Sequence, residues 1–271
     1  MKRKIVTICL AAILVIIAVA GASLAYLKDT DQKTNVFTVG NVDIELEEIF
    51  EANAKLIPGT SEINNVKKEI KVKNIGSESA YVRVHIAFPA ELISYDETKG
   101  LMEFNNVLHY NQSKASLAEG LWSWHKNYAG YKGKLGTEMP GYPGNGTGNN
   151  IYTTKIGDKD YVVFVVTYMS ALEKDTTTKE NAIHQVYLDK FVETSKDVNG
   201  NTVWTKPSYT DRQGGNVDGS MTYIVPEGGV EIIVAAEAVQ AAMGNMNAYE
   251  ALNEAFGVPG SEGYKAPFIV E

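Results

Sequence analysis

The chain has 271 residues, 21% of them charged, and carries a formal net charge of −8 at pH 7. An acidic chain without a patch of clustered Lys and Arg does not match the phosphate backbone, which excludes nucleic acid as a partner. Its one cysteine, Cys9, excludes a fold held together by disulfide bonds, so the core must be stabilised by burial of apolar side chains.

The first 25 residues have the features of a secretory signal. Basic residues 2–4 precede the apolar residues 5–20, and this run is short for a helix that must cross a hydrocarbon core of roughly 30 Å. Small residues follow, and Ser23 and Ala25 fit a cleavage site in front of Tyr26. The pattern predicts a cleaved signal peptide (residues 1–25), with an uncleaved N-terminal anchor as the alternative.

Cleavage would release residues 26–271 as a single exported domain. Loss of the three basic residues of the signal takes the formal charge from −8 to −11. The remaining length is enough for one large β domain with a sizeable core. We therefore predict an acidic protein that is secreted to the extracellular matrix or the cell surface.

The first predicted strand lies within residues 35–46. Its apolar residues Val42, Ile44 and Leu46 alternate with acidic ones, which is the pattern of a half-buried strand. Gly40, just before this alternation, predicts a bulge or a close approach of two backbones.

Two more alternating strands are predicted after a turn at Pro58-Gly59, where glycine would supply the positive φ of a type II turn. They span residues 68–73 and 81–88. The short break of Asn, Gly and Ser residues between them, residues 74–79, suggests a β-hairpin or an adjacent strand pair.

The middle of the chain contains a glycine-rich excursion. Residues 128–150 hold seven glycines and two prolines, which predicts an exposed loop. Its tyrosines either fold the loop down onto its own domain or form a recognition surface.

Further strands are predicted over residues 160–169 and 183–192, with a hairpin tip at the Asn199-Gly200 pair that type I′ turns favour.

The last part of the chain predicts two strands and one helix. The strands span residues 221–225 and 230–238. Asn247 is a helix N-cap to which Glu250 reaches back, and the Gly257-Val258-Pro259 sequence ends the helix. The fold class predicted from these elements is mainly β, with a short C-terminal helix.

The sequence contains no recognisable catalytic motif. Zinc catalysis needs about three protein ligands, often in a His-Glu-x-x-His helix, and none of the four histidines is three or four residues from another. His85 shares the outward face of its strand with Arg83, so we expect it to be solvent-exposed. His125 follows Trp122-Ser123-Trp124, where aromatic packing or surface exposure is expected. His109 and His184 could meet in the fold, and they are the candidate zinc ligands.

Other chemistries are also unsupported by the sequence. There is no Gly-x-Ser-x-Gly elbow and no cysteine nucleophile outside the signal. Asp29 with Asp31 and Asp158 with Asp160 resemble calcium ligands, but neither pair continues into a twelve-residue loop. We therefore assign no catalytic or cofactor-binding residue, with zinc or calcium as the only candidate ions.

The junction after the signal resembles that of exported proteins processed by the specialised signal peptidase SipW, the TasA/camelysin-like group. The resemblance is carried by Ala25-Tyr26-Leu27-Lys28-Asp29-Thr30-Asp31 and by the Asn-x-Phe-x-x-Gly spacing within residues 35–46. It continues through Pro58-Gly59 and the two following strands, so that it covers residues 20–90. A fainter likeness returns at residues 234–242.

This resemblance implies a jelly-roll-like antiparallel β-sandwich, a dedicated signal peptidase during export, and a role in a biofilm matrix. In the fibre-forming relatives the N-terminal strand is donated to the next subunit, which implies self-association or a matrix partner protein. Pairing of the strand within its own domain is the alternative. Camelysin-like proteins are also classed as metallopeptidases, so a secreted zinc metallopeptidase and a surface adhesion module remain open. The implied assembly strand is Phe37, Val39, Gly40, Val42, Ile44 and Leu46.

Overall fold

The computed structural model describes most of the chain after the predicted signal. No helix among the described residues has the length and apolar character needed to cross a bilayer. The predicted cleavage site (Ser23, Ala25 and Tyr26), Gly40 and the glycine-rich excursion lie outside the described residues. The described residues are 27–28, 37–39, 42–51, 54–96, 101–102, 106–123, 151–207, 209–210, 216–217, 221–241 and 246–268.

The described part of the chain consists mainly of strands, as predicted. Two α-helices accompany them, α1 (Lys114–Glu119) and α2 (Ala248–Phe256), together with a short 3-10 turn at Ala90–Leu92. The strands are β1 (Leu27–Lys28), β2 (Phe37–Val39), β3 (Ile44–Phe50), β4 (Pro58–Gly59), β5 (Val66–Asn74), β6 (Ala80–Pro89), β7 (Tyr95–Asp96), β8 (Leu101–Met102), β9 (Leu108–Asn111), β10 (Ile151–Ile156), β11 (Lys159–Thr167), β12 (Ile183–Asp189), β13 (Glu193–Lys196), β14 (Thr202–Lys206), β15 (Tyr209–Thr210), β16 (Asn216–Val217), β17 (Met221–Ile224), β18 (Val230–Glu231) and β19 (Ile233–Gln240).

Two five-stranded sheets form the sandwich. The first has the order β10-β11-β6-β19-β2, and the second has the order β3-β5-β12-β4 with β9 also paired to β12. Alternate side chains of both sheets meet in one core, which includes Val84 and Ile86 of β6, Ile70 of β5 and Val186 of β12. Burial of these apolar side chains is the main source of stability in a fold with no disulfide bond. The predicted mainly-β sandwich is confirmed.

The first sheet is buried on its outer face as well. Helix α2 lies over one part of it, where Ala251 and Leu252 pack against Val239. The segment after the helix covers another part with Tyr264 and Phe268. The helix begins as predicted, because the Asn247 side chain accepts from the backbone N–H of Glu250 while the Glu250 carboxylate accepts from that of Asn247.

The strands β5 and β6 are not a hairpin, so the predicted pairing across residues 74–79 is wrong. They lie in different sheets, and the connection carries the chain from one to the other. Asn74, which is fully buried, holds this crossing: its Nδ2 donates to the carbonyls of Glu78 and Leu172, both at 2.8 Å, and its Oδ1 accepts from the N–H of Gly76. A short polar break marks a change of direction, but it does not specify which sheet the next strand joins.

The predicted type II turn at Pro58-Gly59 is also wrong. These residues form a short strand that pairs in parallel with Leu188 and Asp189 of β12, and Gly59 does not have a positive φ. Glycine is needed there for space, because a Cβ atom at Gly59 would lie only 2.3 Å from the carbonyl oxygen of Ile63.

The predicted hairpin tip is present between β13 and β14, although it is not a type I′ turn. Gly200 has a φ of 84°, whereas a type I′ turn needs positive φ at Asn199 too, and the described non-glycine residues adopt it only at Asn64 and Asp175. The turn depends on Asp197, whose Oδ1 accepts from the N–H groups of Asn199 and Asn201, both at 2.8 Å.

Candidate functional site

The N-terminal segment occupies an edge of its own first sheet. The backbone of β2 pairs in parallel with Glu237, Ala238 and Val239 of β19, with Phe37 opposite Glu237 and Val39 opposite Val239. Among the strands that the structure describes, β2 pairs only with β19, so it is the edge strand of this sheet. The short strand β1 likewise pairs in parallel with β18, so two pieces of the N-terminal segment run beside residues 230–239.

The segment then passes to the second sheet and is anchored there. Val42 and Ile44 are 2% and 3% exposed in the core, and Leu46 packs against the same core. From Ile44 to Phe50 the chain pairs antiparallel with β5. The described segment therefore has two parts: residues 37–39 pair with β19 at its edge, whereas residues from Val42 onward are fixed in the sandwich.

A buried ionic cluster lies on the outer face of the first sheet, next to this edge. Arg83 of β6 and Glu237 of β19 are paired across the strands, and the Arg83 Nε donates to a Glu237 carboxylate oxygen. The other guanidinium nitrogens of Arg83 donate to Asn253 Oδ1 at 2.9 Å and to the Gly257 carbonyl at 3.1 Å. One guanidinium thus ties two strands to helix α2 and to the residue that ends it.

His85 completes this cluster and is fully buried. Its Nε2 lies 3.0 Å from Glu237 Oε2, and its Nδ1 lies 3.2 Å from the Tyr152 hydroxyl. Since a carboxylate only accepts, Nε2–H donates to Glu237 and Nδ1 accepts from the Tyr152 O–H. The prediction of a solvent-exposed His85 is wrong, because alternation assigned it to the outward face and the C-terminal segment covers that face.

Burial controls the charge state of these groups. Burial lowers the pKa of the His85 imidazole, and it outweighs the hydrogen bond to Glu237, which acts in the opposite direction. For the Glu237 carboxyl burial alone would raise the pKa, but the hydrogen bond from His85 and the charge of Arg83 hold it below its ordinary value. Burial also raises the pKa values of the Tyr152 and Tyr264 hydroxyls. At neutral pH the cluster is a neutral histidine beside one Arg–Glu ion pair.

The two candidate zinc ligands each have a separate carboxylate partner. His109 Nε2 lies 2.9 Å from Asp189 Oδ2, and its ring stacks on Tyr187. His184 Nδ1 lies 3.3 Å from Glu69 Oε1. The described residues contain no group of three His, Cys, Asp or Glu side chains that is arranged to hold a metal ion.

Asp189 is the centre of this second polar cluster. It also accepts from the fully buried Lys206, whose Nζ lies 3.0 Å away and bonds the Asn106 carbonyl at 2.8 Å. Burial would raise the pKa of the Asp189 carboxyl, but the bonds from His109 and Phe191 and the charge of Lys206 lower it to about 2. The cluster fixes strands β9, β12 and β14 relative to one another.

The N-terminal part of the chain, which includes β2 and the residues that anchor it, matches a known protein family. Residues 1–88 match the model of a family described as camelysin metallo-endopeptidase. Over these residues the chain is similar to the camelysin/TasA-like group. No curated protein was found to match the chain.

The camelysin-like region ends within β6. It contains the N-terminal strand, the anchoring residues Val42 and Ile44, and the Arg83 and His85 side chains. It does not contain Glu237, β19 or helix α2, which form the other half of the site. The acceptor edge was missed in the sequence, although Glu237 has a recognisable signal as the one charged residue in the apolar run of β19.

Proposed function

We propose that the protein is an exported structural subunit of an extracellular matrix or cell surface, and that it assembles by adding its N-terminal strand to β19 of another copy. The observation that carries this proposal is the parallel pairing of Phe37–Val39 with Glu237–Val239 at a sheet edge. An edge that accepts a strand from its own chain presents the same backbone donors and acceptors to an identical strand from a neighbour.

The pairing is suited to exchange. Strand β2 has only three residues, it lies parallel to β19, and parallel pairing is slightly less stable per residue than antiparallel pairing. The buried residues Val42 and Ile44 provide a fixed point from which residues before position 40 would reach a second copy. Donation from one copy to the next is head-to-tail, and such contacts build filaments when the rotation does not close.

The family match supports the export part of the proposal. It begins at residue 1 and includes the predicted signal peptide and the cleavage site at Ser23, Ala25 and Tyr26. A dedicated signal peptidase is the partner that this export route requires. The acidic charge of the released domain is compatible with a soluble subunit before assembly.

Deletion of residues 26–39 should leave a folded domain that no longer forms multimers. The core residues that the structure describes begin at Val42, so far-UV circular dichroism should be close to that of residues 26–271. Sizing chromatography should show only monomer. The matched control is deletion of residues 26–35, which keeps β2 and should retain multimers. Multimers that persist unchanged after the longer deletion would show that this strand is not the assembly element.

A secreted metallopeptidase is the second candidate, because the matching family is described as a metallo-endopeptidase. His109 and His184 are the residues to examine. The discriminating observation is stoichiometric zinc in the purified exported chain, together with cleavage of casein that is lost when His109 or His184 is replaced. A chain without bound zinc or casein cleavage favours the structural subunit.

A further inference from the structure

The two ends of the chain meet on the same three residues of β19. The backbone of Glu237, Ala238 and Val239 pairs with β2. The side chains of Glu237 and Val239 are contacted by residues 246–268, which we call the C-terminal cap. Ala238, between them, is buried in the core of the sandwich.

Glu237 is bound to the cap both directly and through Arg83. The Tyr264 hydroxyl lies 3.4 Å from Glu237 Oε1. Arg83, paired with Glu237, also bonds Asn253 and the carbonyl of Gly257 in the cap. Tyr264 and Arg83 thus hold the side chain of Glu237, while the backbone of the same residue pairs with β2.

Val239 is held by apolar contact. It is fully buried and forms a cluster with Ala251 and Leu252 of α2, both of which are fully buried as well. The partly buried Tyr81, on the neighbouring strand β6, and Phe256 complete this cluster. The three acceptor residues are therefore fixed from the core side by Ala238 and from the cap side by Glu237 and Val239.

We propose that the C-terminal cap is a part of the assembly site and sets how firmly the β19 edge holds an N-terminal strand. If α2 lifts, Val239 and the Arg83–Glu237 pair lose their cover, and the end of β19 is free to fray. When the end of β19 is frayed, binding of a strand must also order it, and this free-energy cost weakens binding. When the end of β19 is already ordered, binding does not carry this cost. The coupling is reciprocal, so a bound strand also protects the cap.

This inference rests on the proposed function for its role in assembly, but the coupling itself is measurable in a monomer. The experiment is amide hydrogen exchange of the exported chain at a concentration where it is monomeric, followed for the amides of residues 37–39 and of α2. In Leu252→Ala the contact with Val239 is reduced, and we expect the protection of residues 37–39 to fall about tenfold or more. Deletion of residues 26–39 should in turn lower the protection of α2.

Two further variants keep the test decisive. Asn253→Ala removes the hydrogen bond that Arg83 donates to helix α2. It replaces Leu252→Ala in the test if that variant fails to fold. We expect it to cause a smaller loss of protection at residues 37–39. Glu254→Ala, an exposed position on the same helix, is the matched control and should change neither region. Unchanged protection of residues 37–39 in Leu252→Ala and Asn253→Ala, with α2 clearly loosened, would overturn the inference. Coupling without multimers in sizing chromatography would retain this inference and reject the proposed function.

Discussion

Replacement of Arg83 with alanine should destabilise the fold by about 3–5 kcal/mol, the range found when one partner of a buried ion pair is removed. Arg83 and Glu237 are 2% and 3% exposed, so the carboxylate left behind would be a buried charge. The variant also loses the bonds to Asn253 and Gly257 that hold the C-terminal cap. The measurement is the free energy of unfolding from urea titration of residues 26–271.

The matched control for Arg83→Ala is Lys155→Ala. Lys155 pairs with Asp160 at 3.1 Å, but the two side chains are 69% and 64% exposed. An exposed pair contributes about 0–1 kcal/mol, so this variant should be nearly as stable as the parent. If the two variants lose equal stability, the Arg83–Glu237 pair is not the buried link that the structure shows.

The stability of the protein should fall as the pH is lowered from neutral, in two steps. Because the pKa of His85 is lowered by burial, the unfolded chain binds a proton below about pH 6.5 while the folded chain resists it. The unfolded state then binds more protons, so stability decreases as pH falls. The second step begins below about pH 4.5, where the unfolded chain protonates Glu237 before the folded chain does. Asp189, with a folded pKa of about 2, acts in the same acidic range.

The first step can be assigned to one side chain. In His85→Gln the loss of stability between about pH 6.5 and pH 5 should be smaller than in the parent, while the loss below pH 4.5 should remain. Urea unfolding at a series of pH values measures both steps. A parent protein whose stability is constant from pH 7 to pH 5, or a His85→Gln variant with an identical pH profile, would contradict the assigned charge state of His85.

Individual strands and the start of helix α2 could be predicted where the signal lies in neighbouring residues. The alternation of apolar and polar residues predicts β5 and β6, and a continuous apolar run predicts β11. The capping residues Asn247 and Glu250 predict the start of α2. These features depend on neighbours along the chain, which is why the sequence contains them.

The layers and the acceptor site were not predictable in this way. Alternation placed Arg83 and His85 on the outward face of β6, but it carries no information on the C-terminal cap that covers this face. Strand β2 lies in a stretch that resembles a known junction, whereas its partner residues in β19 are 200 residues away in the chain. Strand partners at such separation are selected by burial and register of the whole sheet, and no local pattern around Phe37 specifies Glu237.

Disulfide trapping between two copies tests the central claim most directly. Thr38 and Ala238 are register partners, and the only natural cysteine lies in the predicted signal. One copy carries Thr38→Cys, the other carries Ala238→Cys, and the two are mixed under assembly conditions and oxidised. We predict disulfide-linked dimers for this pair and few or none when Ala236→Cys, which is out of register, replaces Ala238→Cys. Multimers that form without any cross-link between the Thr38→Cys and Ala238→Cys copies would contradict strand addition at β19.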